Sequence, residues 1–235
     1  MAKAKKIEKE KRILEAAEEV FSKYGYTQAT LDEIIKIADT GKGTIYNYFG
    51  NKEQLFYRLM ENKNTIFITR LEEAINNADT FEEKFKGYFA VLVDFITENR
   101  TLWQVLHYEM LGSNKGIQVS FSADGSPEII NKWGVKLNQE EERTIIRYTN
   151  FIFSEFSILD KIIRDYFIDR QCSCKNNLCD ENKRIDIVVS LFFGGTLMSI
   201  FFNKFDGLSG KEVAEFLMKT FLYGHGLDGE SKSSV

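Results

Sequence analysis

A single proline, Pro127, stands among 235 residues, and this scarcity constrains the fold more than any other feature. Proline is the residue that most reliably interrupts a helix, so long stretches are free to coil. Sustained polar–apolar alternation of the kind half-buried strands show is hard to find. Helix-start chemistry recurs instead. A capping box sets a Ser, Thr or similar oxygen at the N-cap and Glu or Gln three residues later, each satisfying an orphan backbone N–H. Thr30 with Glu33, Thr80 with Glu83, Thr101 with Gln104, and Ser209 with Glu212 have this form, and Asn51 with Gln54 is a close variant. Apolar residues at helical spacing follow each one, which predicts an all-α chain.

The stripes themselves are legible. Ile13, Leu14, Ala17, Val20, Phe21 and Tyr24 form one face of a first helix that ends at Gly25, a natural C′ residue. Phe85, Tyr88, Phe89, Leu92, Val93 and Ile96 follow Thr80. A long helix is expected from Asn138 to about Arg170, with a centre apolar on more than one face and so buried on two sides. Two closing helices are expected at about Arg184–Asn203 and Lys211–Tyr223. Gly112 to Ser126 reads as a loop, and Ser126-Pro127 as an N-cap with proline in the first helical position. The apolar stretch Ile185–Phe202 is about long enough to span a membrane. Its Asp186, Ser190, Thr196, Ser199 and Gly194-Gly195 favour a core or interface helix instead. The basic N-terminus lacks the apolar run of a secretory signal, so a soluble cytoplasmic protein with no membrane partner is expected.

Residues 30–55, TLDEIIKIADTGKGTIYNYFGNKEQL, carry the function. A short helix at about Leu31–Ala38 buries Leu31, Ile34, Ile35 and Ala38. Asp39 to Gly41 turn the chain, and a second helix at about Lys42–Tyr48 points Ile45 and Phe49 inward. Two short helices on a tight turn make a helix-turn-helix, whose second helix fits the major groove. Its outward residues suit DNA. Lys42 supplies charge, Gly43 permits close backbone approach, Thr44 and Asn47 can read base edges, and the Tyr46 and Tyr48 hydroxyls can reach phosphates. Lys52 opens the next helix, where the macrodipole disfavours a cation, and a phosphate there would offset the misplacement. The stretch Lys3–Arg12 is either a solvated helix start or an arm on DNA phosphates. Charge is divided in the same sense: Met1–Arg70 holds 13 Lys and Arg against 10 Asp and Glu, the remainder 18 against 25.

This segment resembles the TetR family of bacterial regulators on Thr30, Glu33, Ile34, Ala38, Gly43, Thr44, Ile45, Tyr46, Tyr48, Phe49, Asn51, Lys52, Glu53 and Leu55. It departs at Asp39-Thr40-Gly41, where the family has Gly-Val-Ser, and at Ile35, where alanine is usual. The resemblance implies a helix-turn-helix head over residues 1–55, with Thr30 added to its DNA contacts and a fourth helix from about 52 leading into the body. It implies a helical regulatory and dimerisation body over 56–228 and a disordered tail over 229–235. It also implies a homodimer through the two C-terminal helices, whose stripes are Val188, Leu191, Phe192, Gly195 and Met198, then Val213, Phe216, Leu217, Thr220 and Phe221. A repressor released from a palindromic operator by a small, largely apolar effector is the expected function, with no cofactor.

Other candidates come from the residues alone. Glu155 interrupts an apolar stripe, and a carboxylate there is expensive to bury unpaired. Trp103, His107, Tyr148 and Phe151 are the other candidate effector contacts. Cys172, Cys174 and Cys179 make a C-x-C-x4-C cluster, offering an alternative metal- or thiol-responsive regulator, yet a closed zinc site wants a fourth ligand and none is adjacent. Two distant histidines and no catalytic motif leave an enzyme without a nucleophile–base pair. A helical interaction protein without DNA binding is the remaining alternative.

Overall fold

The computed structural model describes residues 2–111, 117–121, 127–131, 139–169 and 181–223. In order these are α1 (Ala2–Gln28), α2 (Leu31–Ile37), α3 (Lys42–Phe49), α4 (Lys52–Asn76), α5 (Phe81–Glu98), α6 (Arg100–Leu111), β1 (Ile117–Phe121), β2 (Pro127–Asn131), α7 (Gln139–Asp169), α8 (Glu181–Phe201) and α9 (Gly210–Tyr223). The all-α expectation holds apart from one antiparallel hairpin, which pairs Ile117 with Asn131 and Phe121 with Pro127. Pro127 therefore opens a strand and not a helix. At the first residue of a two-stranded ribbon its missing N–H costs little. The cysteine cluster and the tail over 229–235 lie outside the described residues.

Four of the five predicted helix starts carry their caps. Thr30 and Glu33 make the reciprocal pair, as do Thr80 with Glu83 and Ser209 with Glu212, while the Asn51 carboxamide accepts from the N–H of Gln54 at 2.7 Å. Thr101 does not cap, because it is already the second residue of α6. The N–H of Trp103 donates to the carbonyl of Asn99, which stands just outside the helix. Gly25 breaks α1 with φ 71°, ψ 174°, a left-handed geometry that glycine takes at little cost.

The chain forms two compact units, Met1–Ile66 with Asn99–Phe153 and Phe67–Glu98 with Ser154–Val235. In the first, Ile13, Val20 and Phe21 of α1 are buried, as are Ile34 of α2, Ile45 of α3 and Phe56 of α4. Phe56 meets Phe21 edge to face at 5.0 Å. In the second, every apolar residue of the predicted α5 stripe is buried, and Phe85 lies among Phe81, Phe89, Phe192 and Phe221.

Helix α8 carries two apolar stripes. Ile185, Val189, Phe193, Thr196 and Ile200 are buried, whereas Ile187, Leu191, Gly195 and Met198, with Phe202 just past the helix end, are exposed. The sets are offset by two residues, about 200° around the helix. This is why Lys183–Phe201 is long and apolar enough to cross a membrane, and why only 28 % of that stretch is buried.

Candidate nucleic-acid interface

The turn between α2 and α3 is set by Asp39 at φ 45°, a conformation aspartate tolerates better than most side chains. Thr40 buries its hydroxyl with no hydrogen-bond partner among the described residues, so the methyl expected from a core valine has been exchanged for an unsatisfied oxygen. Gly41 caps α3 without a side-chain bond. Its carbonyl still accepts from the Thr44 N–H at 2.9 Å.

Helix α3 then divides cleanly. Ile45 and Phe49 are buried, while Lys42, Gly43, Tyr46 and Asn47 are exposed and Thr44 and Tyr48 half-buried. A Cβ added at Gly43 would meet nothing within 4 Å, and its backbone is not left-handed. The fold itself thus gives no reason for glycine there. Lys42 lies 3.7 Å from Asp32 on α2, both solvated, a pair worth about 0–1 kcal/mol and easily exchanged for another anion. The Lys6 ammonium sits 5.7 Å from the Tyr48 ring centre, so the basic start of α1 adjoins this face.

Two expected contacts are already engaged inside the head. The Thr30 hydroxyl donates to Glu33 Oε2 at 2.8 Å while accepting from the Glu33 N–H. Lys52 does open α4, but its ammonium donates to the carbonyls of Tyr26 (2.9 Å), Thr27 (3.4 Å) and Ala29 (3.1 Å) and lies 4.7 Å from the Tyr26 ring centre. Backbone oxygens within the head thus offset the placement of this cation at the start of α4. Two of these carbonyls end α1 and the third, of Ala29, belongs to the link that follows it.

The expected effector residues are divided between the units. Trp103, Tyr148 and Phe151 are buried in the first, where Phe151 stacks on Tyr57 at 5.7 Å. His107 lies on α6, and its side chain is outside the described residues. Glu155, in the second unit, is 1 % exposed. Its Oε1 has no hydrogen-bond partner among the described residues, and burial holds the carboxyl well above its usual range. The Tyr88 hydroxyl donates to the Glu155 backbone carbonyl at 3.0 Å. A half-open cleft of about 680 Å³ in the same unit is walled by Ile75, Phe81, Ile158, Ile162 and Tyr166; Glu155 is not among its lining residues. Sequence reasoning missed Asp94, whose carboxylate accepts from the Gly210 N–H at 2.7 Å and so caps α9 from α5. A charge inside the run Leu92-Val93-Asp94-Phe95 was the available signal. No group of three or more metal-ligating side chains occurs among the described residues.

Residues 13–59 match the family described as "Bacterial regulatory proteins, tetR family". A Bacillus subtilis protein named "Uncharacterized HTH-type transcriptional regulator YhgD" is 45 % identical over 73 residues, which is 31 % of this chain and 35 % of that protein. The Bacillus subtilis "Fatty acid metabolism regulator protein" is 35 % identical over 103 residues, 44 % of this chain and 53 % of that one. The chain thus spans about a third to a half of the length of these curated relatives. Two solved structures share the fold over most of their length. FadR from Bacillus subtilis in complex with stearoyl-CoA superposes with TM-score 0.61 at 21 % identity, covering 91 % of this chain and 97 % of that one. FadR from Bacillus halodurans gives 0.64 at 19 %, covering 93 % and 96 %.

Proposed function

Because the chain belongs to the TetR family of bacterial regulatory proteins, we propose that it is a cytoplasmic, homodimeric transcriptional repressor released from a palindromic operator by a small, largely apolar effector. The observation that carries this reading is α3, whose inward residues are buried while a glycine the fold does not require stands among exposed polar side chains. Lys42, Gly43, Thr44, Tyr46, Asn47 and Tyr48 form the contact face. Thr30 and Lys52 position it from behind, one by capping α2 and the other by holding the end of α1.

The head spans residues 1–55 and the body 56–228. The dimer forms through α8 and α9, where Leu191, Met198 and Phe216 are exposed, as is Phe202 just past the end of α8. Two copies of α3 related by a two-fold axis then meet successive major grooves, and half-site spacing follows from the dimer. Effector bound in the body favours a state whose two α3 helices no longer match those grooves. By linkage, operator lowers effector affinity by the same factor.

A long-chain acyl compound is the effector class best supported. One relative is named for fatty acid metabolism and a structural neighbour holds stearoyl-CoA, and the second unit is rich in phenylalanine. The test is a gel shift with DNA flanking the chain's own gene, titrated with stearoyl-CoA. Retarded palindromic DNA that stearoyl-CoA releases is the expected result. No retardation at low salt, where phosphate contacts are strongest, would overturn the DNA-binding reading.

A further inference from the structure

In the second unit two buried side-chain oxygens have no hydrogen-bond partner among the described residues, Glu155 Oε1 on α7 and Thr196 Oγ1 on α8. Two contacts fix how these helices align. Phe156 meets Phe193 edge to face at 5.6 Å, and the Arg164 guanidinium bonds Asp186. Moving up α7 is moving down α8, so the pair is antiparallel, and that register sets Glu155 level with Gly194–Thr196. Both unsatisfied groups therefore lie at one level of one helix pair, on side chains that are 1 % and 2 % exposed. Tyr88 anchors α5 there through the Glu155 carbonyl.

The protonation of these groups defines what they can receive. Thr220 gives its hydroxyl proton to the carbonyl four residues back, the usual outlet for threonine in a helix. Thr196 does not, so its proton is free. Burial alone displaces the Glu155 carboxyl upward, with no cation acting on it, and Tyr88 is the one titratable group it couples to among the described residues. Arg164, further along α7, is engaged by Asp160 and Asp186. Burial thus favours the protonated form of Glu155, which has an O–H to donate. Two donors at one level of an apolar interior suit one oxygen with two lone pairs.

We propose that Glu155 and Thr196 form a polar subsite that binds the carbonyl oxygen of an uncharged, chain-bearing carboxylic derivative such as a thioester, ester or amide. This deepens, and rests on, the reading of the body as an acyl-effector domain. A free carboxylate would bring an uncompensated charge into the apolar interior. An ammonium would pair with Glu155 only after the carboxyl had lost its proton to solvent.

Calorimetric titration of the full-length protein with stearoyl-CoA and with octadecyltrimethylammonium tests the subsite. Wild type is expected to bind stearoyl-CoA, with affinity declining as pH rises through the Glu155 titration. Glu155→Gln, which keeps a donor and cannot ionise, binds nearly as tightly and loses that pH dependence. Glu155→Leu and Thr196→Val each weaken binding about tenfold. Glu155→Leu also raises Tm, because an unpaired buried carboxyl is replaced by an apolar side chain. A merely structural glutamate would not move binding and stability in opposite directions. Stearoyl-CoA affinity untouched by Glu155→Leu overturns the subsite and leaves the acyl reading standing. A wild type that prefers the ammonium probe also overturns it, and one that binds neither overturns both readings.

Discussion

Lys52 holds backbone carbonyls from Tyr26, Thr27 and Ala29 with one ammonium. Removing it leaves those oxygens to find water or go unsatisfied, so Lys52→Met should cost about 1–3 kcal/mol, read from urea unfolding of the full chain. The salt dependence of operator binding should keep its wild-type slope, because no phosphate is lost. Lys42→Ala should flatten the slope by about 0.9 per contact removed. A Lys52→Met slope that flattened equally would show the lysine leaving its carbonyls for DNA. Glu155 makes a second prediction through its raised carboxyl titration. Below the ordinary carboxylate range both folded and unfolded chains are protonated there, and its burial carries no ionisation penalty. As pH rises the unfolded chain ionises first, so stability falls until the folded carboxyl titrates as well. Glu155→Gln removes that loss, and its stability relative to wild type should climb with pH from the ordinary carboxylate range upward. A constant difference across a pH series would show that the buried carboxyl does not titrate as burial requires. Glu155 was legible as an oddity in an apolar stripe. The partners of Lys52 within the head were not legible, because these carbonyls lie more than twenty residues away and spacing along the chain cannot reveal them.

Among elements, the starts were most legible because a cap is local chemistry: Thr30, Thr80 and Ser209 each find their partner three residues on. The hairpin was not, since proline after serine suits a helix start and a strand start alike, and only pairing with β1 decides. The clamp between α5 and α9 was invisible for a related reason. Gly210 begins α9 so close to α5 that a Cβ there would lie 2.3 Å from the Ala90 carbonyl oxygen and 2.6 Å from Asp94 Oδ1. Backbone must therefore move in Gly210→Ala. A loss of about 1–3 kcal/mol or more is expected, measured by thermal unfolding, although alanine is the better helix former. Asp94→Ala removes only the cap on the Gly210 N–H and should cost about 1 kcal/mol. If Gly210→Ala were as stable as wild type, the close approach of the two helices would be wrong.

At the scale of the whole molecule the decisive surface is the outer stripe of α8. Leu191 and Phe202 are 67 % and 66 % exposed, and Phe216 on α9 is 59 % exposed, an apolar display that a monomer has no use for. The core stripe of the same helix is complete without it, so a substitution outside can break assembly and spare the fold. Leu191→Arg is the sharpest choice, because a two-fold interface would meet two new cations, related by symmetry, in an apolar setting. Sedimentation equilibrium should give a monomer at concentrations where wild type is a dimer, with the far-ultraviolet circular dichroism of a helical chain retained. The wild-type Tm should rise with protein concentration, as it must when association stabilises the folded state, and that dependence should vanish in Leu191→Arg. Operator affinity should fall by about 10²–10⁴-fold, the avidity a tethered second head contributes, although α3 is unaltered. A Leu191→Arg protein that stays dimeric would move the interface elsewhere, and the two-headed grip on the operator would then need another basis.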